Sequence, residues 1–230
     1  MSYVVASPQQ ASVPVRDTNL RFPVRRIYCV GRNYDDHVVE MGGVPGREPP
    51  FFFQKPADAI LLNGEFPYPT QSQNVHFEVE LVVALQSGGR NISAADALRH
   101  IYGYAVGIDM TRRDLQAEAK KQGRPWEVAK SFDHSAPISD IVPKSETGIL
   151  EEANISLQVN GIQKQHANIS EMIWSVPEII AELSKLFELH AGDIIFTGTP
   201  SGVGSVTIGD SIVAAIANVG DLSLRVCKPS

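Results

Sequence analysis

The chain has 230 residues, 43% hydrophobic and 20% charged, with a formal charge of −6, the composition of a soluble globular protein with ample material for one large core. The acidic balance and the absence of a Lys/Arg-rich stripe exclude nucleic acid as a partner. The longest uncharged apolar run, near Ile212 to Gly220, falls far short of the roughly 18 residues a membrane span needs, so no membrane partner is expected either.

Residues 1–20 read as an N-terminal tail, with Pro8 and Pro14 but neither a basic n-region nor an apolar h-region. Without a signal peptide the expected location is the cytoplasm, and residues 21–230 are expected to form a single domain. Cys29 and Cys227 are the only cysteines. They are too few for a disulfide framework, and both lie in strand-like apolar runs where burial is expected.

Arg25 to Val30 reads as a strand ending at Gly31. A short helix of about eight residues follows, with Asn33 as its N-cap, Asp35 and Asp36 in the first turn and Gly42-Gly43 at its exit. So short a helix is marginal alone and suits a lid over residues 33–42. Within it His37 and Glu40 are spaced i, i+3, so the carboxylate can orient and charge-stabilise the imidazole. The spacing fits a surface ion pair as well as acid–base work. Phe51 to Gln54 reads as a short buried strand stopped by Lys55-Pro56, and Asn63 to Asn74 as a turn-rich connection.

The stretch Val75 to Leu85 alternates with the period of a strand. Its odd positions are uniformly apolar, whereas His76, Glu78 and Glu80 share the other face before it turns apolar at Val82 and Ala84. Two carboxylates side by side on a half-buried strand repel one another and lose solvation, and a hard divalent cation would compensate them. Taken alone, the pattern also suits a wetted strand face.

Ser93 caps a helix to about Arg99, and Ile101 to Ile108 is a small-residue strand closed by Asp109, which suits either a functional group or a plain cap. Thr111 is expected to cap a helix over Arg112 to Gln122 that Gly123 stops. Lys130 sits in the apolar frame Val128 to Phe132 and is expected to snorkel to solvent. Ile155 to Val159 with Asn160-Gly161 predicts a type I′ hairpin. Pro177 opens an amphipathic helix with Ile179, Ile180, Leu183, Leu186 and Phe187 on its core side, ending at Gly192. Asp193 to Thr197, Ser211 to Ala217 and Leu222 to Val226 read as strands. Between the first two, Gly198 to Gly204 forms a glycine-rich loop that lacks the lysine of a P-loop.

Together these features resemble the fumarylacetoacetate hydrolase family, in particular its acylpyruvase and fumarylpyruvate hydrolase branch. The similarity covers nearly all of residues 25–226. It rests on Tyr28 to Tyr34, the His37/Glu40 pair, Phe53-Gln54-Lys55-Pro56, His76-x-Glu78-x-Glu80, Gly107 to Gln116, Ala129 to Phe132, and the Thr197 to Gly204 loop.

The resemblance implies an α+β fold, a mixed, mostly antiparallel β-roll with peripheral helices, usually dimeric. It implies Mg2+ or Mn2+ on Glu78, Glu80 and Asp109, a ligand set whose oxygens favour a hard ion over zinc. His76 is then expected to orient a ligand. The implied reaction is cleavage of an acylpyruvate by water that His37, assisted by Glu40, deprotonates. Lys130 would stabilise the resulting enolate and Gln116 the water or oxyanion, with Arg32, Lys55, Arg113 and Thr199 holding the carboxylates of a small dicarboxylate keto acid. Oxaloacetate decarboxylation is the alternative within the family. A non-catalytic metal-binding role is the alternative outside it, and the His37–Glu40 pair speaks against that.

Overall fold

The alternating stretch becomes two strands, Val75–Phe77 and Val79–Leu85, separated by Glu78. In the computed structural model, which describes residues 3–62 and 64–229, Val79, Leu81, Val83 and Leu85 enter the larger apolar cluster, while Val82 and Ala84 enter a second one. A strand buried on both faces tolerates a polar side chain only where another group answers it.

Val79–Leu85 lies in a six-stranded sheet ordered Val142–Pro143, Ile101–Ile108, Val79–Leu85, Asp193–Phe196, Arg26–Gly31, Phe51–Lys55. Its neighbours pair antiparallel except Asp193–Phe196 with Arg26–Gly31. A five-stranded sheet runs Ile162–Asn168, Asn154–Val159, Ser211–Ile216, Gly220–Cys227, Glu65–Pro67. Leu81, Val83, Tyr104 and Val106 of the first sheet share one core with Ile155, Leu157, Ile212 and Leu224 of the second. Neither sheet closes on itself, so the expected mixed, mostly antiparallel α+β roll is an open one. Asn160 and Gly161, with φ of 51° and 77°, make the expected I′ turn between Asn154–Val159 and Ile162–Asn168. None of the described helices is long and apolar enough to cross a membrane.

Several local expectations are corrected. The segment 1–20 is not a bare tail where it is described, because Ser12–Pro14 pairs with Arg21–Pro23 and buries Val13 and Val15 in the second cluster. Phe51–Lys55 is an edge strand with Phe51 45% exposed, not a buried one. Glu65–Pro67 is a strand inside the expected turn region, whose first residue, Asn63, lies outside the described residues. Thr111–Arg112 is a strand, so the helix starts at Arg113 and runs to Gln122. The Pro177 helix spans Val176–Leu186 and stops well before Gly192, leaving Leu186 exposed. Cys29 is buried, but Cys227 is only half-buried.

Gly107 stands opposite Glu80 in the central ladder, and a Cβ there would come within 2.5 Å of both Phe196 and Val82. Neither neighbour can retreat from a closed core. Gly107→Ala should therefore lose about 1–3 kcal/mol of stability by overpacking, measured as a shift in the midpoint of urea unfolding at unchanged slope.

Candidate functional site

The site begins where the central strand changes sheets. Val75–Phe77 pairs with Thr111–Arg112 and Gly204–Val206, whereas Val79–Leu85 pairs with Ile101–Ile108. At the changeover, the Asp109 N–H donates to the Glu78 carbonyl (2.8 Å) and the Val79 N–H to Oε1 of Gln165 (3.0 Å). The antiparallel neighbour thus delivers Asp109 beside Glu78, and Glu80 follows on the strand. Carboxylate oxygens of Glu78, Glu80 and Asp109 lie within 4.8 Å of one another, all buried.

Side-chain cations answer two of these three acids. Lys130, expected to snorkel, is 3% exposed, and its ammonium donates to Glu78 Oε2, Asp109 Oδ2 and Thr111 Oγ1, each at 2.6 Å. Those bonds use all its donors. Arg113 pairs with Glu78 and donates to Gln116 Oε1 at 2.6 Å. Lys55, expected to hold substrate, is wholly buried behind the site with its Nζ 2.9 Å from Asp109 Oδ1. It props Asp109 and donates to the Lys130 carbonyl, so it presents nothing to a ligand. Nor does His76 bond any of the three acids: its Nε2 lies 3.0 Å from Asn74 Oδ1, and its Nδ1 has no partner among the described residues.

Glu80 has no such cation; its Oε2 accepts from the Gly198 N–H at 2.7 Å. Gly198 has a φ of 97°, and a Cβ would fall 2.6 Å from Asn33, so glycine is what lets the loop reach the carboxylate. Burial, then Asp109 and Glu78, holds the Glu80 carboxyl well above the ordinary range. At Glu78 burial also pushes upward, but Lys130 and Arg113 outweigh it and hold that carboxyl well below.

The His–Glu helix is Asp35–Glu40, shorter than expected, and Tyr34 takes the N-cap position without a side-chain cap bond. Asn33 instead ties the chain to Trp174 and Thr197, donating to their carbonyls at 3.0 and 2.8 Å and accepting from the Trp174 N–H at 2.8 Å. His37 Nδ1 lies 3.0 Å from Glu40 Oε2, and Glu40 Oε1 accepts from the Gly202 N–H at 2.9 Å. His37 lines the same cleft as the acids, together with Arg32, Arg113, Gln116, Lys120, Trp126, Lys130 and Thr199. The cleft itself is about 30 Å³, room for a water or two. An outer chamber of about 510 Å³ adjoins it at Gly31, Arg32 and Trp126.

Residues 26–227 match the family model described as fumarylacetoacetate hydrolase C-terminal. The chain belongs to the fumarylacetoacetate hydrolase family. It is 43% identical to the fumarylpyruvate hydrolase of a Ralstonia species over 180 residues, 78% of this chain and 93% of that one. It is equally 43% identical to the mitochondrial oxaloacetate tautomerase of Bos taurus over 206 residues, 89% of this chain and 93% of that one. A crystal structure of fumarylpyruvate hydrolase from Pseudomonas aeruginosa, in complex with Mn2+ and pyruvate, superposes with a TM-score of 0.97 at 49% identity, covering 99% of this chain and 100% of the other. The protein is thus an enzyme of this family, whose members act on small keto acids.

The donor set fits a divalent ion of the hard class on its own terms. It offers only oxygens, it is buried, and among the described residues Glu80 is in no ion pair. Residues that the sequence did not mark also line or support the site. Lys120 sits at the cleft mouth with Nζ 5.1 Å from the Trp126 ring centroid; it lies one helical face along from Arg113 and Gln116, the i, i+3, i+7 signal that would have found it. Thr111 completes the coordination of Lys130, and Gln165 braces the strand break.

Glu80→Gln should raise the thermal midpoint of the metal-free protein at about pH 8, since it removes a buried, unpaired charge while keeping the Gly198 bond. A carboxyl with a raised folded pKa destabilises above that value, and the penalty fades as pH falls through it. The gain should therefore shrink at about pH 5. Saturating Mn2+ should stabilise the parent by about 2.7 kcal/mol at 100 times its dissociation constant, and the variant hardly at all. Thermal unfolding at both pH values, with and without Mn2+, reads all three effects.

Proposed function

We propose that the protein is a divalent-metal-dependent hydrolase that cleaves the carbon–carbon bond of an acylpyruvate, with fumarylpyruvate as its best substrate and fumarate and pyruvate as products. The observation that carries this is the His37–Glu40 pair, 3.0 Å apart, lining the cleft of the three acids. A purely structural ion site has no use for a general base.

A bound Mg2+ or Mn2+, held by Glu78, Glu80 and Asp109, supplies Lewis-acid stabilisation of negative charge at the keto-acid end of the substrate. Glu40 accepts a hydrogen bond from the Nδ1–H of His37, leaving Nε2 to take a proton from water and stabilising the imidazolium that results. Hydroxide adds to the distal carbonyl, the bond from that carbon to the adjoining methylene breaks, and fumarate leaves. The pyruvate enolate then takes the proton back from His37. Lys130 presents a fixed ammonium beside the developing enolate. Because Arg113 occupies the Gln116 carbonyl oxygen, the amide N–H donors of Gln116 are left for the attacked carbonyl.

Arg32 and Lys120 at the neck are in no ion pair among the described residues, and a second substrate carboxylate would supply their counter-charge. Arg32 also holds a non-glycine φ of 59°, a strained conformation of the kind that accumulates at ligand sites. Thr199 faces the same space. The outer chamber, with Phe51, Trp126 and Trp174 on its wall, lies beyond that carboxylate and would be the route by which substrate enters. A cytoplasmic homodimer is the state we expect to carry this activity.

Oxaloacetate tautomerisation is the second activity the site suits, favoured by the Bos taurus relative at the same 43% identity. It needs a proton-transfer group against an enolate but no attacking water. A panel of fumarylpyruvate, acetylpyruvate and oxaloacetate, each with and without chelator, separates the two. Acetylpyruvate, lacking the second carboxylate, should lose about 1.5–3 kcal/mol, or on the order of 10- to 150-fold in kcat/KM. His37→Ala should abolish hydrolysis while Mn2+ binding persists. Fast keto–enol conversion of oxaloacetate with no cleavage of either acylpyruvate would move the protein to the second activity.

A further inference from the structure

Gln165 belongs to an outer strand whose other residues face solvent or its margin, yet it is completely buried. The register puts it there: Gln165 stands opposite core-facing Leu157, as Ala167 stands opposite Ile155. A bulge follows at once, since Gln158 pairs with Gln163 and Lys164 has no partner in the ladder. The buried amide is fully used. Its Oε1 accepts from the Val79 N–H at 3.0 Å, and its Nε2 donates to Thr199 Oγ1 and to the Pro200 carbonyl, both at 2.8 Å.

One end of that amide holds the strand break next to Glu78, and the other holds the loop that lines the cleft. The same loop leans on the bulge, for a Cβ on Gly202 would stand 2.0 Å from the Lys164 carbonyl oxygen. Two residues past Pro200, the Gly202 N–H reaches Glu40, which holds His37. We infer that Gln165 is the positioning residue that registers the His37–Glu40 pair, through the Thr199–Gly202 loop, against the acid-bearing strand. This rests on the reading of those groups as the reactive ones. A buried amide with both oxygen and nitrogen satisfied suits the task, since any shift of the loop relative to the strand leaves a polar group unpaired.

Gln165→Met keeps the volume and removes every bond. It should speed amide hydrogen exchange of residues 198–203 by at least about 10-fold while Val83 and Val106 in the central ladder keep their protection. It should also lower kcat for fumarylpyruvate by about 10- to 100-fold, the loss expected from a small misplacement of reacting groups. The decisive readout is a double-mutant cycle with Glu40→Ala. If Gln165 acts through Glu40, its substitution should change kcat less than about 3-fold once Glu40 is gone, whereas a merely structural role gives losses that multiply. Should the methionine variant fail to fold, Gln165→Glu keeps the acceptor for Val79 and replaces the amide donors, and enters the same cycle. Unchanged exchange in the loop, or multiplying losses, would overturn the inference. A parent protein that does not cleave fumarylpyruvate would instead count against the proposed activity, and the exchange measurement would still decide the positioning role.

Discussion

Three carboxylates in an apolar interior, with oxygens within 4.8 Å of one another, form the constraint on which the rest of this structure depends. Each would lose much of its solvation, and each repels the other two. The chain answers with Lys130 shared between Glu78 and Asp109, Arg113 on Glu78, and Lys55 behind Asp109. Glu80 stands apart, with only a backbone N–H at 2.7 Å. The compensation is therefore uneven, and the uncompensated charge faces the cleft. A site balanced at every carboxylate would give an entering cation little to bind to.

This arrangement also explains the backbone. The acids must come from the ends of two antiparallel neighbours, and the central ladder finishes with Val79 opposite Ile108, so Glu78 and Asp109 emerge together just past it. A strand continuing straight through Glu78 would keep the two acids in an ordinary ladder. The change of sheet at Glu78 opens that ladder, and the freed Val79 N–H then needs an acceptor from elsewhere, which Gln165 provides from 86 residues away.

What could be read in the sequence was what depends on neighbours along the chain. The alternation of 75–85, the strand ending at Asp109, the Asn160-Gly161 turn and the His37–Glu40 spacing are local patterns with local causes. The failures have a common origin in long-range pairing. Lys130 looks like a snorkelling lysine because its frame is apolar, and only the fold brings it to Glu78, 52 positions away. Lys55 sits in a recognisable segment, yet the depth to which Phe51–Lys55 carries it depends on register with Arg26–Gly31. Gln165 lies among exposed residues and owes its burial to standing opposite core-facing Leu157, a pairing that no local periodicity announces. The strand Ser12–Pro14 was masked by its own proline, which an edge position tolerates.

Hydrolysis and tautomerisation of related keto acids ask for much the same equipment, an anchored keto-acid end, a stabilised enolate and a base within reach. They differ in whether a water is held between that base and a second carbonyl. On the proposed reading, that difference lies in the relation between the acid cluster and the His37–Glu40 pair, and not in the identity of either. The helix bearing the pair has six residues, too few to fix its own position. It is held by Asn33 on one side and by Glu40 on Gly202 on the other. With His37 as the proposed base, the glycine loop would set the distance between base and substrate, so substitutions that move this loop, though they touch no reacting atom, should change which reaction the same groups perform.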